Sequence, residues 1–329
     1  MQQTETRLES PADSPRKVPT VEKTEATGPV RVALQGIPVS PIPAVNVASV
    51  PQRSPLRYPG GKTWFIPHLR RWLSSRSGTD CLVEPFCGGG ITSLTAVMEG
   101  LTKRCILVEI DRDVAAFWHT ALRHTGTLCE RILAFEPTRE NVLALANHAP
   151  SSLVDHGFRT LVLNRTRRGG ILAQGASLTR IGENGKGVAS RWYPETIVKR
   201  LREIERHESQ IAFYEGDGMQ LLDSSAHPQG SALFIDPPYT AGGKRAGRRL
   251  YANHDVDHAA IFERLADSDT DFLMTYDAAP EILALVRRHR FIAVQVTMKN
   301  THHARLPELI VTRRHVFEET SPQRSLRLD

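Results

Sequence analysis

The sequence predicts an α/β protein with a doubly wound, mostly parallel sheet. Three observations predict it: seven short apolar runs of strand length, helical patterns between several of them, and a glycine-rich loop joining the first run to a helix. The runs cover residues 82–86, 105–110, 211–214, 232–235, 272–276, 291–297 and 309–313. Helical periodicity marks 115–123, 140–147 and 194–208, and a further helix is expected to open at Ile91 or Thr92.

The spacing of the runs is uneven. About a hundred residues separate the second from the third, where a crossover needs about a dozen. An insertion is therefore expected over 123–208, leaving a discontinuous sheet domain of 54–122 and 209–318. Residues 1–53 are rich in Pro, Thr, Ser and Val and lack periodicity, so they are expected to be a mostly disordered tail, with a short extended piece near 30–34. Residues 319–329 form a second tail.

Forty per cent hydrophobic and 24% charged residues fit an ordinary globular protein, and no apolar run approaches the length of a membrane span. Glu5, Arg7 and Glu9 stand where a secretory signal needs apolar residues, which points to an intracellular protein. Cys81, Cys87, Cys105 and Cys129 have neither zinc-site spacing nor disulfide density; they read as buried thiols, and no metal is expected. The net charge is +6, and the stretch 159–191 carries the same excess by itself: seven basic residues against Glu183. A polyanion is its natural partner.

Four segments carry candidate chemistry. Asp236-Pro237-Pro238-Tyr239 follows an apolar strand and presents a carboxylate, a backbone carbonyl and an aromatic ring at the strand's mouth. The two oxygens can accept from an exocyclic amine while the ring stacks on the base. Taken alone, the motif is equally compatible with a stiffened turn. Glu84-Pro85-Phe86-Cys87-Gly88-Gly89-Gly90 lies between a strand and a helix, where glycines let the backbone approach a ligand. Glu109 ends the second strand, nineteen residues after Gly90, at the distance suited to ribose hydroxyls, with Asp111 in reserve. Asp217 follows the third strand, as an adenine-amine acceptor or a turn cap. Tyr58-Pro59-Gly60-Gly61-Lys62 would deliver a ring and a point charge.

Together these residues resemble the Dam-like (alpha-group) DNA adenine N6-methyltransferases. The resemblance runs from about residue 55 to 315: RYPGGK at 57–62, EPFCGGG at 84–90, GDG at 216–218 and DPPY at 236–239. It also includes Leu163-Asn164-Arg165, Gly185-Lys186-Gly187, SRWYPET at 190–196, Met274-Thr275-Tyr276-Asp277 and Glu308-Leu309-Ile310. It implies a Rossmann-like seven-stranded methyltransferase sheet with an inserted, mainly helical target-recognition domain. It implies S-adenosylmethionine as cofactor, held by Tyr58, Lys62, Glu84, Phe86, Gly88, Gly90, Glu109, Asp217 and Asp236. The target base would be held by Asp236, Pro237, Pro238 and Tyr239. Double-stranded DNA is the implied partner, with Arg165, Arg167, Arg168, Lys186 and Arg191 of the basic stretch as contacts; the basic loop after the DPPY motif, with Lys244 and Arg245, departs from the family pattern and is expected to add a DNA contact. A cognate restriction enzyme is compatible with it, no membrane is involved, and a monomer or weak dimer is expected. Cytosine-N4 or guanine-N2 methylation, dinucleotide-dependent oxidoreduction and noncatalytic DNA binding are the alternatives.

Overall fold

The computed structural model describes residues 36–43, 46–58, 61–173, 175–238, 256–299 and 305–317. Seven strands form one sheet: β1 (Cys81–Glu84), β2 (Arg104–Glu109), β3 (Ile211–Glu215), β4 (Ser231–Ile235), β5 (Asp271–Asp277), β6 (Ile292–Lys299) and β7 (Arg305–Thr312). Their order is β3-β2-β1-β4-β5-β7-β6. The first five in that order run parallel, whereas β7 is antiparallel to both β5 and β6. This is the seven-stranded α/β sheet that the sequence predicts, with each expected strand within a few residues of its place.

Nine α-helices complete the described chain: α1 (Ile66–Ser74), α2 (Ile91–Met98), α3 (Arg112–Arg123), α4 (Thr125–Ala134), α5 (Arg139–Asn147), α6 (Leu153–Thr166), α7 (Pro194–Arg206), α8 (His258–Asp267) and α9 (Pro280–Arg288). Their starts follow from local chemistry. Asp111, Thr138, Ser152 and Asp257 each accept from a backbone N–H of the first turn, and α7 and α9 begin on a proline.

Alternate strand residues feed two cores, as a pleated sheet covered on both faces requires. Leu82, Leu107, Phe234 and Ile310 pack with Trp72, Leu94 and Phe117 of the first three helices. Val83, Leu233, Met274 and Leu309 pack with Phe262 of α8 and Leu283 of α9 on the other face.

Helices α4 to α7 lie between β2 and β3, in the segment read as the insertion. The sequence reading missed α4 and α6 of this segment, and in α6 Gly157, Arg159 and Arg165 interrupt the apolar spacing. Gly157 is there for a packing reason: a Cβ at that position would lie 2.3 Å from Thr120 Oγ1 of α3. The two helices cross at a distance only glycine permits, which seats α6 directly on α3.

Within the segment expected to be a tail, residues 38–40 run along β6. Ser40 N donates to Gln295 O at 2.9 Å and Gln295 N to Pro38 O at 2.8 Å. This short parallel bridge covers part of an otherwise open sheet edge. The extended piece expected near 30–34 lies outside the described residues.

Candidate functional site

The strand order turns back between β1 and β4, and the crevice outside their carboxyl ends is where open α/β sheets bind ligands. Two cavities meet there. The first, about 340 Å³, is lined by Tyr58, Phe86, Gly88, Glu109, Asp217 and Asp236 together with Ile110, Val114, Leu172 and Met219. The second, about 470 Å³, is lined by Lys62, Glu84, Gly90 and Thr92 and by arginines of the insertion. Tyr58 and Asp236 border both.

The glycine-rich loop is shaped by what lies above it. Gly88 and Gly90 have φ of +46° and +61°, a region that disfavours side chains. A Cβ on Gly88 would stand 2.6 Å from the Tyr58 ring, and one on Gly90 would stand 2.7 Å from Trp118. Trp118 Nε1 also donates to Gly88 O at 2.8 Å. The loop is thereby clamped between an aromatic from the N-terminal motif and one from α3.

Glu84 ends β1 and Glu109 ends β2, and both are buried. Gly90 has no side chain with which to cap α2, and Glu84 Oε2 accepts from Ser93 N in its place, at 3.1 Å. Burial, with Asp236 and Glu109 nearby, pushes the Glu84 carboxyl up to about 8 against the opposing hydrogen bond from Ser93. Glu109 accepts from Gly88 N and Asp111 N, both at 2.9 Å, and burial raises it to about 7. Asp217 caps the turn Gly218–Leu222 through Met219 N and faces the first cavity, so its two sequence readings are compatible. Asp111 caps α3 and lines the same cavity.

Asp236 follows β4 at the meeting of the cavities. Lys62 Nζ lies 2.9 Å from its Oδ1, and Thr275 Oγ1 donates to the same oxygen at 2.8 Å. Burial works against the Lys62 charge, but Asp236 and Glu308 outweigh it, and the ammonium titrates above its ordinary value. Lys62 thus belongs to the carboxylate rather than to a solvated turn. Pro237 and Pro238 are described, whereas Tyr239, Lys244 and Arg245 lie outside the described residues.

The insertion's basic residues separate by environment. Arg168 and Lys186 are exposed, Arg167 donates to Leu172 O at 2.9 Å, and Arg191 pairs with Glu183 at 2.5 Å. Arg165 is buried.

Several site residues carried no signal in the sequence. Leu172 and Ala173, from the loop after α6, wall the first cavity opposite the sheet. The start of that loop is tied to the N-terminal motif by Asn164, a buried residue quoted in the family motif without a role. Its side chain accepts from Arg57 N at 2.7 Å and donates to Arg57 O at 2.7 Å and Gly170 O at 2.8 Å. Asn164→Leu is expected to destabilise the fold by about 3 kcal/mol, because it strands three backbone groups in the interior. Urea unfolding measures this; an unchanged midpoint would rule out the clamp.

A family model described as D12 class N6 adenine-specific DNA methyltransferase matches residues 58–148. That span takes in Tyr58, Lys62, the glycine-rich loop and Glu109. A DNA N-6-adenine-methyltransferase of Escherichia phage P1 is 25% identical over 253 residues, covering 73% of this chain. Both findings support the D12 class as the family. The chain spans 32% of the phage relative's length. Among solved structures, the rRNA methyltransferase aviRa of Streptomyces viridochromogenes matches at a TM-score of 0.36 and 14% identity, over 83% of this chain and 86% of that one. The precorrin-6y C5,15-methyltransferase of Geobacter metallireducens matches at 0.34 and 8% identity, over 76% and 88%. Both scores are low, and the fold rests on the strand order itself.

The D12 class implies S-adenosylmethionine as cofactor, and the first cavity fits such a group. It falls within the size range of ligand pockets. It offers apolar walls for a heterocycle, a carboxylate at the end of β2 for ribose hydroxyls and a backbone loop cleared of side chains. A Cβ on Gly218 would collide with Pro85 O of that loop at 1.8 Å, so the turn after β3 packs against the loop at a distance that only glycine permits.

Proposed function

We propose that this chain methylates the N6 amine of adenine in duplex DNA, taking the methyl group from S-adenosylmethionine. One observation carries the proposal: a carboxylate anchored by a buried lysine stands at the carboxyl end of β4, on the border of a cavity that fits the cofactor. The matched family and the phage relative support adenine in DNA as the substrate.

The N6 amine is a poor nucleophile because its lone pair is delocalised into the ring. In our reading, the Asp236 carboxylate and the Pro237 carbonyl accept hydrogen bonds from it, favouring a tetrahedral nitrogen and stabilising its developing positive charge. Lys62 and Thr275 fix the carboxylate through Oδ1. The lysine's proton is too tightly held to be given up, so Asp236 acts as an oriented acceptor. When bound, the cofactor supplies a methyl group activated by a sulfonium, held by Tyr58, the glycine loop, Glu109 and Asp217. An adenine within a duplex is out of reach of Asp236, so the base leaves the stack and enters the crevice; the DPPY motif offers Tyr239 as its stacking partner.

The insertion, 123–208, takes the role of target recognition in this reading, with its exposed basic residues on the DNA. Mass spectrometry of nucleosides from duplex DNA and from RNA, each incubated with the protein and S-adenosylmethionine, tests the substrate. N6-methyladenine from DNA is the expected product. N4-methylcytosine, or N2-methylguanine from RNA, would replace the proposal with its alternatives.

A further inference from the structure

The second cavity holds a concentration of positive charge that methyl transfer does not use. Arg57, Arg165, Arg191 and Arg200 reach it from four places: the N-terminal motif, α6, the turn Gly187–Arg191 and α7. Lys62 is engaged by Asp236 and Arg191 by Glu183. Among the described residues, no ion pair involves Arg57, Arg165 or Arg200. Arg200 donates to the Ser54 carbonyl at 2.9 Å.

Arg165 is the most unusual of the four. It is 5% exposed, and its Nε is buried with no hydrogen-bond partner. Burial and the charges of Arg200, Arg57 and Arg191 lower its guanidinium to about 9. An arginine is rarely buried without a carboxylate unless something anionic completes the site. Thr92, also on the cavity, is fully buried and its Oγ1 has no partner either. Thr92 stands in the first turn of α2, whose cap residue Gly90 brings no side chain, so the helix turns the positive end of its dipole toward the same space, where Ser93 N already donates to Glu84.

We propose that this cavity binds one backbone phosphate of the DNA strand that carries the target adenine. The inference rests on the DNA reading above and adds a specific site to it. Guanidinium forks and helix N–H groups match phosphate oxygens. Tyr58 and Asp236 border both cavities, so a phosphate held here is anchored beside the crevice that receives the base. The cations outnumber what a single cofactor carboxylate needs, and the cofactor has its own cavity across Tyr58. The backbone would thus be gripped at the insertion and at the glycine-rich helix start at once, which couples DNA docking to the ordering of the site.

The test uses the full chain and its Arg165→Met and Arg200→Gln variants, the second being half-buried and removable without opening the core. Inorganic phosphate is titrated against each and followed by ³¹P line width and thermal unfolding. A mixed-sequence duplex is then titrated over a range of salt, and S-adenosylmethionine is titrated by calorimetry. The wild type is expected to bind phosphate, and each variant to lose about tenfold in that affinity. Each variant should also lower the salt slope of duplex binding by about one while keeping its cofactor affinity. Unchanged phosphate affinity and slope in both variants would overturn the site. Lost cofactor affinity with an intact slope would overturn it too, by assigning the arginines to the cofactor's carboxylate. A wild type that binds phosphate but no duplex would sink the DNA reading itself, and with it the source of the phosphate.

Discussion

Asp236→Asn is expected to lower methyl transfer on the order of 10³-fold, the scale of removing a preorganised electrostatic group from a reacting centre. The substitution keeps an oxygen to face Lys62 and Thr275 but removes the charge that stabilises the amine as it turns positive. Cofactor affinity should change little, because Glu109, Asp217 and the glycine loop are untouched. The split is the informative part: turnover falls while calorimetric binding of S-adenosylmethionine persists. Asp236→Ala is the harsher comparison. It would leave the buried Lys62 ammonium without its nearest carboxylate, at a cost of about 3 kcal/mol or more in stability. Full activity in a folded Asp236→Asn protein would remove the carboxylate from the chemistry.

Glu84 makes stability depend on pH in the direction opposite to an ordinary salt-bridged carboxylate. Its carboxyl holds a proton up to about 8 in the folded chain, against an ordinary value of 4.5. Between those values the folded state binds more protons than the unfolded one, so rising pH favours unfolding. The contribution is intact below about 4.5 and lost by about 8, on the order of 5 kcal/mol in all. Glu84→Gln keeps an acceptor for Ser93 N and cannot ionise. Wild type and variant should therefore be similarly stable near pH 4.5 and diverge as pH rises, with the variant the more stable at pH 8. Glu109, raised to about 7, leaves a smaller decline in both proteins. Parallel unfolding curves from pH 5 to 8 would show that Glu84 is ionised in the folded state.

The sheet was legible because its strands are short apolar runs and its site residues stand at strand ends, where sequence order maps directly onto one edge of the sheet. Glu84, Glu109, Asp217 and Asp236 end or follow four consecutive parallel strands and gather in one crevice for that reason. Lys62 was legible as a residue but not in its partner, since the Lys62 to Asp236 contact spans most of the fold. Helix α6 was hidden because its glycine serves a close crossing with α3, an effect of tertiary contact that periodicity cannot carry. The same holds for Asn164 and for the arginine cluster, whose members are spread from 57 to 200 in the sequence and meet only after the insertion has folded onto the first sheet helices.

Methylation-aware sequencing of DNA from cells expressing the protein, set beside cells expressing Asp236→Asn, bears on the central claim most directly. Methyl groups on adenine N6 within one fixed sequence context, absent with the variant, are the expected result. Unmodified adenine in both, or equal modification in both, would contradict the assignment of Asp236 and its crevice to adenine methylation.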